Sequence, residues 1–169
     1  RDVRETLHLP ILGVLPRVRT PRGRRPWAIE KAVLRWPDSV LSDHVERLAH
    51  VVVHVSVKQS LRSILVTSAR PREGRTTVAS NLAILFAQAG EKVLLVDGDA
   101  RRPRLHEIFS CRNDSGLVSL LAEDLDPTDA IRGTDVPNLF LIPSGVLRGA
   151  GTKPFEPRRI QEVFQNLQG

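Results

Sequence analysis

The sequence is poor in several residue types, and each absence narrows what the chain can do. It has no Met and begins at Arg1, so we expect a fragment or a processed chain rather than an intact translation product. Its single cysteine, Cys111, excludes an internal disulfide and a cysteine-based metal cluster, and we expect a free thiol in a reducing compartment. No run of about 20 apolar residues and no signal peptide is visible, so no membrane-spanning segment is predicted.

Aromatic residues are also scarce, at 4%, so aliphatic side chains must build the core. Hydrophobic residues make up 41% of 169 residues, which suits one α/β domain. The net charge is +6 at pH 7. Such a basic chain favours an anionic partner, namely a nucleotide, a lipid surface or a nucleic acid, and a soluble domain that is simply basic is the alternative.

The first part of the chain is irregular and rich in Arg and Pro. We predict that residues 1–60 form a basic linker and a helix, ahead of a domain spanning residues 61–169. Residues 9–16 (LPILGVLP) predict a short strand bounded by prolines. A basic loop is predicted from five closely spaced arginines, Arg17, Arg19, Arg22, Arg24 and Arg25. Apolar spacing predicts a helix over residues 38–49, and residues 51–57 fit either its extension or a strand.

The middle of the chain has the pattern of a strand, a helix and a second strand. The first strand is expected over residues 63–68 (SILVTS) and the second over residues 91–97 (EKVLLVD). The helix between them is expected over residues 76–89, with Gly90 as its C-terminal cap. Such a βαβ unit would place both strands in one parallel sheet.

The last part of the chain is predicted to continue the same sheet domain. Helices are expected over residues 117–122, 127–132 and 157–168, and a third strand over residues 139–143. The whole pattern predicts an α/β fold with a mostly parallel sheet.

A phosphate-loop pattern lies between the first predicted strand and the helix. Residues 69–76 read ARPREGRT and match the pattern of Gly or Ala, four residues and Gly-Lys-Ser/Thr, except that Arg75 replaces the lysine. Gly74 permits a tight turn in which backbone N–H groups face a phosphate, and Thr76 offers a hydroxyl to Mg²⁺. The predicted nucleotide-binding residues are Arg72, Glu73, Gly74, Arg75, Thr76 and Thr77. A glycine-containing turn without a ligand is the alternative.

Two carboxylates, Asp97 and Asp99, end the second predicted strand. The carboxyl ends of strands face the ligand crevice in open α/β sheets, and residues i and i+2 share a strand face. Such a pair suits a hard cation that also binds phosphate, and one carboxylate could accept a proton from an attacking hydroxyl. The alternative is a pair of solvated turn acids that pair with Arg101 and Arg102.

The sequence resembles a known family around these motifs. The stretch ILVTSARPREGRTTVASNLAILFAQAGEKVLLVDGDARRPRLHEIF is similar to the core of bacterial tyrosine autokinases. These are the cytoplasmic domains of polysaccharide co-polymerases, which control chain length in capsule and exopolysaccharide export, and they are related to chromosome-partitioning ATPases. Further similarity is carried by residues 81–83 (NLA), 101–103 (RRP) and 143–145 (PSG).

The resemblance implies a fold, a cofactor and roles for the site residues. It implies a three-layer P-loop NTPase fold, truncated before the strand that carries the Walker B motif. Residues 69–76 would be the Walker A loop, and Asp97 and Asp99 the Walker A′ carboxylates. The implied cofactor is ATP or ADP with Mg²⁺, held by Thr76, Asp97 and Asp99, and the implied catalytic residues are Asp97, Asp99 and Arg75.

The departures from the family pattern indicate either a fragment that is cut short or a degenerate enzyme. Arg75 keeps the charge of the Walker A lysine but is bulkier, planar and forked. A Glu-x-x-Arg-x-x-Arg pattern used by the family in ring assembly is replaced by Asp43, Glu46 and Ala49. No Asp-Thr-Pro-Pro motif precedes Gly169, and the sequence has no Tyr to serve as an acceptor.

Three hypotheses follow for the function. The first is an autokinase domain cut short, and the second is a pseudo-kinase that regulates polysaccharide chain length or export. The third is a partitioning-type P-loop ATPase that binds DNA. It is less favoured, because that class opens its loop with Lys-Gly-Gly and residues 70–72 here read RPR.

The resemblance also implies partners and a location. The expected partners are a nucleotide and the membrane domain of a polysaccharide co-polymerase or sister subunits, in a homo-oligomer of the full-length protein. The five arginines predict contact with anionic lipid at the cytoplasmic face of the bacterial inner membrane. Nucleic acid is not an expected partner.

Overall fold

The computed structural model of the protein describes residues 8–18, 29–122, 125–146 and 156–167. The chain forms two compact units, Arg1–Leu85 and Phe86–Gly169. The predicted phosphate loop belongs to the first unit, and the predicted carboxylates belong to the second.

Helices build the first unit. Ahead of the phosphate loop they are a 3-10 turn, Ile29–Lys31, a short helix α1, Ala32–Arg35, and a long helix α2, Val40–Gln59. Ser39 caps α2, because its hydroxyl accepts a hydrogen bond from the backbone N–H of Ser42 at 3.2 Å. The helix predicted over residues 38–49 is confirmed. Residues 51–57, which fitted either element, extend that helix.

Two predicted strands are not formed in the first unit, and both predictions are wrong. Neither residues 9–16 nor residues 63–68 form a strand. Val14 is 73% exposed and Leu65 is 89% exposed, so these apolar segments gain little from burial. An extended segment without a paired neighbour has no ladder of hydrogen bonds to hold it. The βαβ unit, and a single sheet joining residues 63–68 to residues 91–97, are therefore wrong as well.

The helix after the phosphate loop is confirmed. Helix α3, Arg75–Gln88, begins one residue earlier than predicted. Gly90 follows it with a φ of +96°, and its N–H bonds to the carbonyl of Ala87 at 3.1 Å. The N–H of Glu91 bonds to the carbonyl of Phe86 at 3.1 Å. This is the left-handed C-terminal cap that the glycine predicted.

A three-stranded sheet lies in the second unit. Its strands are β1, Val93–Val96, β2, Arg132–Gly133, and β3, Leu139–Ile142, in the order β1-β3-β2. β1 pairs with β3 in parallel, with Val93 opposite Leu139, and β2 pairs with β3 antiparallel. The strands predicted over residues 91–97 and 139–143 are confirmed, as is the α/β fold class.

Short helices complete the second unit. They are α4, Leu105–Ile108, α5, Leu117–Ala122, α6, Pro127–Ala130, and α7, Pro157–Asn166. The helices predicted over residues 117–122 and 157–168 are confirmed. The helix predicted over residues 127–132 ends at Ala130, because Arg132 pairs with Leu141 in the sheet instead. One apolar cluster of Leu120, Ala130, Ile142 and Val163 joins α5, α6, β3 and α7.

A close approach of two backbones fixes the carboxyl end of β3. The N–H of Leu117 donates to the carbonyl of Pro143 at 2.8 Å, and that of Val118 to Ser144 at 2.9 Å. A Cβ on Gly116 would lie 2.0 Å from the Pro143 carbonyl oxygen, so only glycine fits there. The loop after β3 is thus held against the start of α5, at the same sheet edge as the end of β1.

Candidate nucleotide-binding site

The predicted phosphate loop is a tight turn followed at once by a helix. Gly74 has a φ of +92°, a conformation that side chains rarely tolerate, and α3 begins at the next residue, Arg75. The N–H of Val78 closes the first helical turn on the carbonyl of Gly74 at 2.9 Å. The junction therefore has the left-handed glycine and the helix start that the loop pattern predicts.

Side chains within the loop bond to its own backbone. The Glu73 carboxylate accepts a hydrogen bond from the backbone N–H of Arg70 at 3.0 Å. The Ser68 hydroxyl donates to the carbonyl of Arg70 at 2.9 Å. Arg72 has a φ of +67°, a second left-handed residue in the turn. The carboxylate of Glu73 thus organises the turn, and its predicted contact with a nucleotide remains a prediction.

The start of α3 supplies the donors that an anion needs. The first N–H groups of a helix have no partner within the helix, and its dipole is positive at this end. Arg75, Thr76 and Thr77 occupy the first positions of this 14-residue helix and are half-buried. A positively charged side chain and two hydroxyls therefore accompany the backbone donors, and this set fits the phosphates of a nucleotide.

Asp97 lies at the end of β1 and is buried, at 5% exposure. Its N–H continues the ladder to the carbonyl of Ile142 at 2.9 Å. Its carboxylate accepts three backbone N–H groups, from Asp99 at 3.1 Å and from Arg104 and Leu105 at 3.0 Å each. The carboxylate therefore holds the loop from β1 to α4 in place and caps the start of α4.

Asp99 is half-buried within that loop. Its carboxylate accepts the backbone N–H of Arg102 at 3.1 Å, and the same N–H lies 3.2 Å from the Asp99 carbonyl. The two acids therefore have different surroundings: Asp97 is buried at the end of β1, and Asp99 lies in the turn that follows. The alternative of two solvated turn acids does not describe Asp97, which is buried.

These groups suit a magnesium ion that is shared with phosphate. Mg²⁺ in nucleotide sites uses one or two carboxylates together with waters and phosphate oxygens, not a cage of protein ligands. Across the described ranges, no group of three or more His, Cys, Asp or Glu residues could hold a metal by itself. The convergence of Thr76, Asp97 and Asp99 on one ion remains a prediction.

One buried polar residue near the loop escaped the site prediction. Asn81 in α3 is fully buried and bonds to residues far away in the sequence. The sequence does carry a signal, since the amide of Asn81 stands directly before the apolar residues 82–87 of the same helix.

Comparisons with known proteins agree with these features. Residues 61–155 match a protein family described as an AAA domain. The chain is 37% identical over 109 residues to the tyrosine-protein kinase YwqD of Bacillus subtilis, covering 64% of this chain and 46% of that protein. The crystal structure of the chimerical protein CapA2B2 is similar with a TM-score of 0.66 at 31% identity, over 98% of this chain and 67% of that one.

A second solved structure shows the fold alone. The kinase domain of the Escherichia coli tyrosine kinase ETK has a TM-score of 0.72 at 22% identity, over 96% of this chain and 62% of that chain. The chain spans about half the length of the curated relatives that it matches. The P-loop fold and the resemblance to bacterial tyrosine kinases are confirmed.

No helix in the part of the chain that the structure describes is both long and apolar enough to cross a membrane.

Proposed function

The chain belongs to the AAA domain family, and on that premise we propose that it is the nucleotide-binding part of a bacterial tyrosine autokinase that serves capsule or exopolysaccharide export. The observation that carries the proposal is the loop-to-helix junction. Gly74 in a left-handed conformation is followed directly by Arg75, Thr76 and Thr77 at the start of α3. The kinase relatives favour this function over the alternative of a DNA-binding partitioning ATPase.

The cofactor of the site is ATP or ADP with Mg²⁺. The backbone donors at the start of α3 and the Arg75 guanidinium would hold the phosphates, and Arg72 and Glu73 line the loop. The Thr76 hydroxyl and the carboxylates of Asp97 and Asp99 would hold the metal. Mg-ATP, when bound, supplies the phosphoryl group and the positive charge that stabilises its transfer.

The chain's own residues make it a weak kinase. Asp97 or Asp99 would accept the proton of a tyrosine hydroxyl, but the sequence has no Tyr of its own. The guanidinium of Arg75 presents a planar fork where the family pattern has a compact ammonium. Arg75 keeps the positive charge but changes where its N–H donors lie, and removal of one well-placed donor typically costs about 10²–10³ in rate. We therefore propose that the module acts in regulation of polysaccharide chain length or export more than in catalysis.

The partners and the location follow from the same family. The module would work with the membrane domain of a polysaccharide co-polymerase or with sister subunits, as part of a homo-oligomer. It would lie at the cytoplasmic face of the bacterial inner membrane. Arg17 is exposed and could face anionic lipid, and the other four arginines of the predicted basic loop, at positions 19–25, lie outside the described residues. The division of the chain at residue 60 also remains a proposal.

Calorimetry with Mg-ADP and Mg-ATP tests the nucleotide site. We expect weak, Mg²⁺-dependent binding to the native chain and an affinity about tenfold higher for Arg75→Lys, because a compact ammonium fits the loop better. Arg101→Lys is the matched control, since Arg101 is exposed and lies outside the loop. Folded native and Arg75→Lys chains that both fail to bind would overturn the proposal.

A further inference from the structure

A buried amide in the first unit connects the phosphate-loop helix to residues 29–33, which form the 3-10 turn and the start of α1. Asn81 has no exposed surface. Its Nδ2 donates to the carbonyl of Ile29 at 2.8 Å and to the carbonyl of Thr77 at 2.8 Å. Its Oδ1 accepts the backbone N–H of Val33 at 3.1 Å.

These bonds cross long stretches of sequence. The two partners are Ile29, in the 3-10 turn, and Val33, in α1, and they lie 52 and 48 residues away from Asn81 along the chain. Both partners are backbone groups. The hydrogen bonds of Asn81 therefore depend on where the main chain of residues 29–33 lies, and not on which side chains those residues carry. A buried amide whose donors and acceptor are all used orders its surroundings, because removing it leaves buried polar groups unpaired.

The other end of the connection is the nucleotide loop. Thr77 belongs to the predicted nucleotide-binding residues, and its carbonyl accepts from Asn81 one helical turn later. Val78 bonds to the carbonyl of Gly74, the glycine of the turn. A helix transmits such restraints along its axis as a rigid element. The position of the loop is therefore tied to residues 29–33 through one side chain.

We infer that Asn81 is a positioning residue that couples residues 29–33 to the phosphate loop, so that nucleotide binding and the state of residues 29–33 depend on each other. The inference rests on the proposed nucleotide site for its functional consequence, but the coupling itself exists without a ligand. Coupling between two sites is reciprocal: displacement of residues 29–33 weakens nucleotide binding, and bound nucleotide orders residues 29–33.

Hydrogen exchange of the ligand-free chain tests the coupling alone. Asn81→Leu removes all three bonds at similar side-chain volume. Val33→Pro removes the N–H that donates to Asn81 together with the buried Val33 side chain, and Val33→Ala, which keeps the N–H, controls for that lost packing. We expect Asn81→Leu and Val33→Pro to raise the exchange rate of the Val78 amide, although Val33 and Val78 are far apart in sequence. In the double variant the two effects should not add, because they break the same connection.

Ser80→Ala is the matched control. Ser80 neighbours Asn81 in α3 and is equally buried, but its hydroxyl has no hydrogen-bond partner in the described structure. Its loss should leave the exchange of Val78 unchanged. An effect of Ser80→Ala equal to that of Asn81→Leu, or no change at Val78 in Val33→Pro, would overturn the inference. Should Asn81→Leu fail to fold, Val33→Pro still decides.

Calorimetry with Mg-ADP tests the functional consequence. We expect the dissociation constant to rise about tenfold in Asn81→Leu and in Val33→Pro, and to stay unchanged in Ser80→Ala. We also expect Mg-ADP to slow the exchange of the Val33 amide in the native chain but not in Asn81→Leu. A native chain that binds no nucleotide while Val78 still responds to Val33→Pro refutes the proposed site and leaves the coupling intact. Nucleotide binding that is unaffected by both variants refutes the coupling.

Discussion

Two apolar segments of the chain have similar composition and opposite surroundings. Residues 63–68, in the first unit, carry Leu65 at 89% exposure and form no strand. Residues 93–96, in the second unit, form β1 and pair with β3, whose Leu141 has no exposed surface. We conclude from these two segments that an apolar run forms a strand only where a neighbouring strand supplies both a hydrogen-bond ladder and a buried face.

The largest contrast is expected between the same substitution in residues 63–68 and in β3, the strand that pairs with β1. Leu141→Ala should lower the free energy of unfolding by about 3 kcal/mol, because it leaves a cavity under the sheet. Leu65→Ala should change it by less than about 0.5 kcal/mol, because that side chain already lies in water. Urea denaturation of both variants measures the contrast. Similar losses would show that Leu65 is buried in solution and that residues 63–68 have found a partner.

A second contrast is expected at the carboxyl end of β1, between the buried Asp97 and the half-buried Asp99. Asp97→Asn should lower the free energy of unfolding by about 2 kcal/mol, because three backbone N–H groups lose a charged acceptor and the new amide can accept only at one atom. Asp99→Asn should cost less than about 1 kcal/mol, because the amide oxygen can still accept from Arg102. Thermal unfolding without nucleotide measures both variants. Equal losses would contradict the anchoring of the loop by Asp97.

The smallest expected effect concerns an exposed acid in the second unit. The Thr128 hydroxyl, and then the Thr128 backbone N–H, lower the pKa of Asp126 below its ordinary value of 3.8. Because the folded pKa is depressed, its contribution to stability is present above the ordinary value and is lost as the pH falls through the folded pKa. Thr128→Val should raise the pKa of Asp126 towards 3.8 and reduce this acid dependence.

A carboxyl NMR titration measures that shift, and Asp114 serves as the internal reference. Its pKa is lowered chiefly by a hydrogen bond from its own backbone N–H, with further effects of Arg112 and Arg132. Thr128→Val should leave Asp114 unchanged. A pKa of Asp126 that does not move would show that the backbone N–H alone sets it.

Local patterns predicted the parts of the fold that depend on neighbours in sequence. The spacing of apolar residues identified α3 and α7, and Gly90 identified the end of α3. The run of residues 139–143 identified β3. The same reasoning missed β2, because two residues, Arg132 and Gly133, carry too little pattern, and their pairing with β3 is a long-range event. It also missed α4, Leu105–Ile108, whose start is capped from Asp97.

The candidate site likewise has features that were predictable from local sequence and features that were not. The turn at Gly74 and the helix start at Arg75 were predictable, because a glycine followed by an apolar-periodic helix specifies them locally. The hydrogen-bond partners of Asp97 and Glu73 were not predictable. The sequence does not distinguish a carboxylate that faces a ligand from one that accepts backbone N–H groups. Whether Asp97, Asp99 and Thr76 hold one ion stays a prediction.

Local patterns in the sequence specified the longer helices, the phosphate-loop turn and the family resemblance, because periodicity, capping residues and motifs act over a few neighbouring residues. Tertiary contacts settled which apolar runs formed strands and which polar side chains anchored the backbone. Strand formation at Val93–Val96 needed β3, more than 40 residues later in the sequence, to complete the ladder. The role of Asn81 likewise needed Ile29 and Val33 to be brought against α3. Both are contacts between segments distant in sequence, and their free energy exists only once the chain has folded.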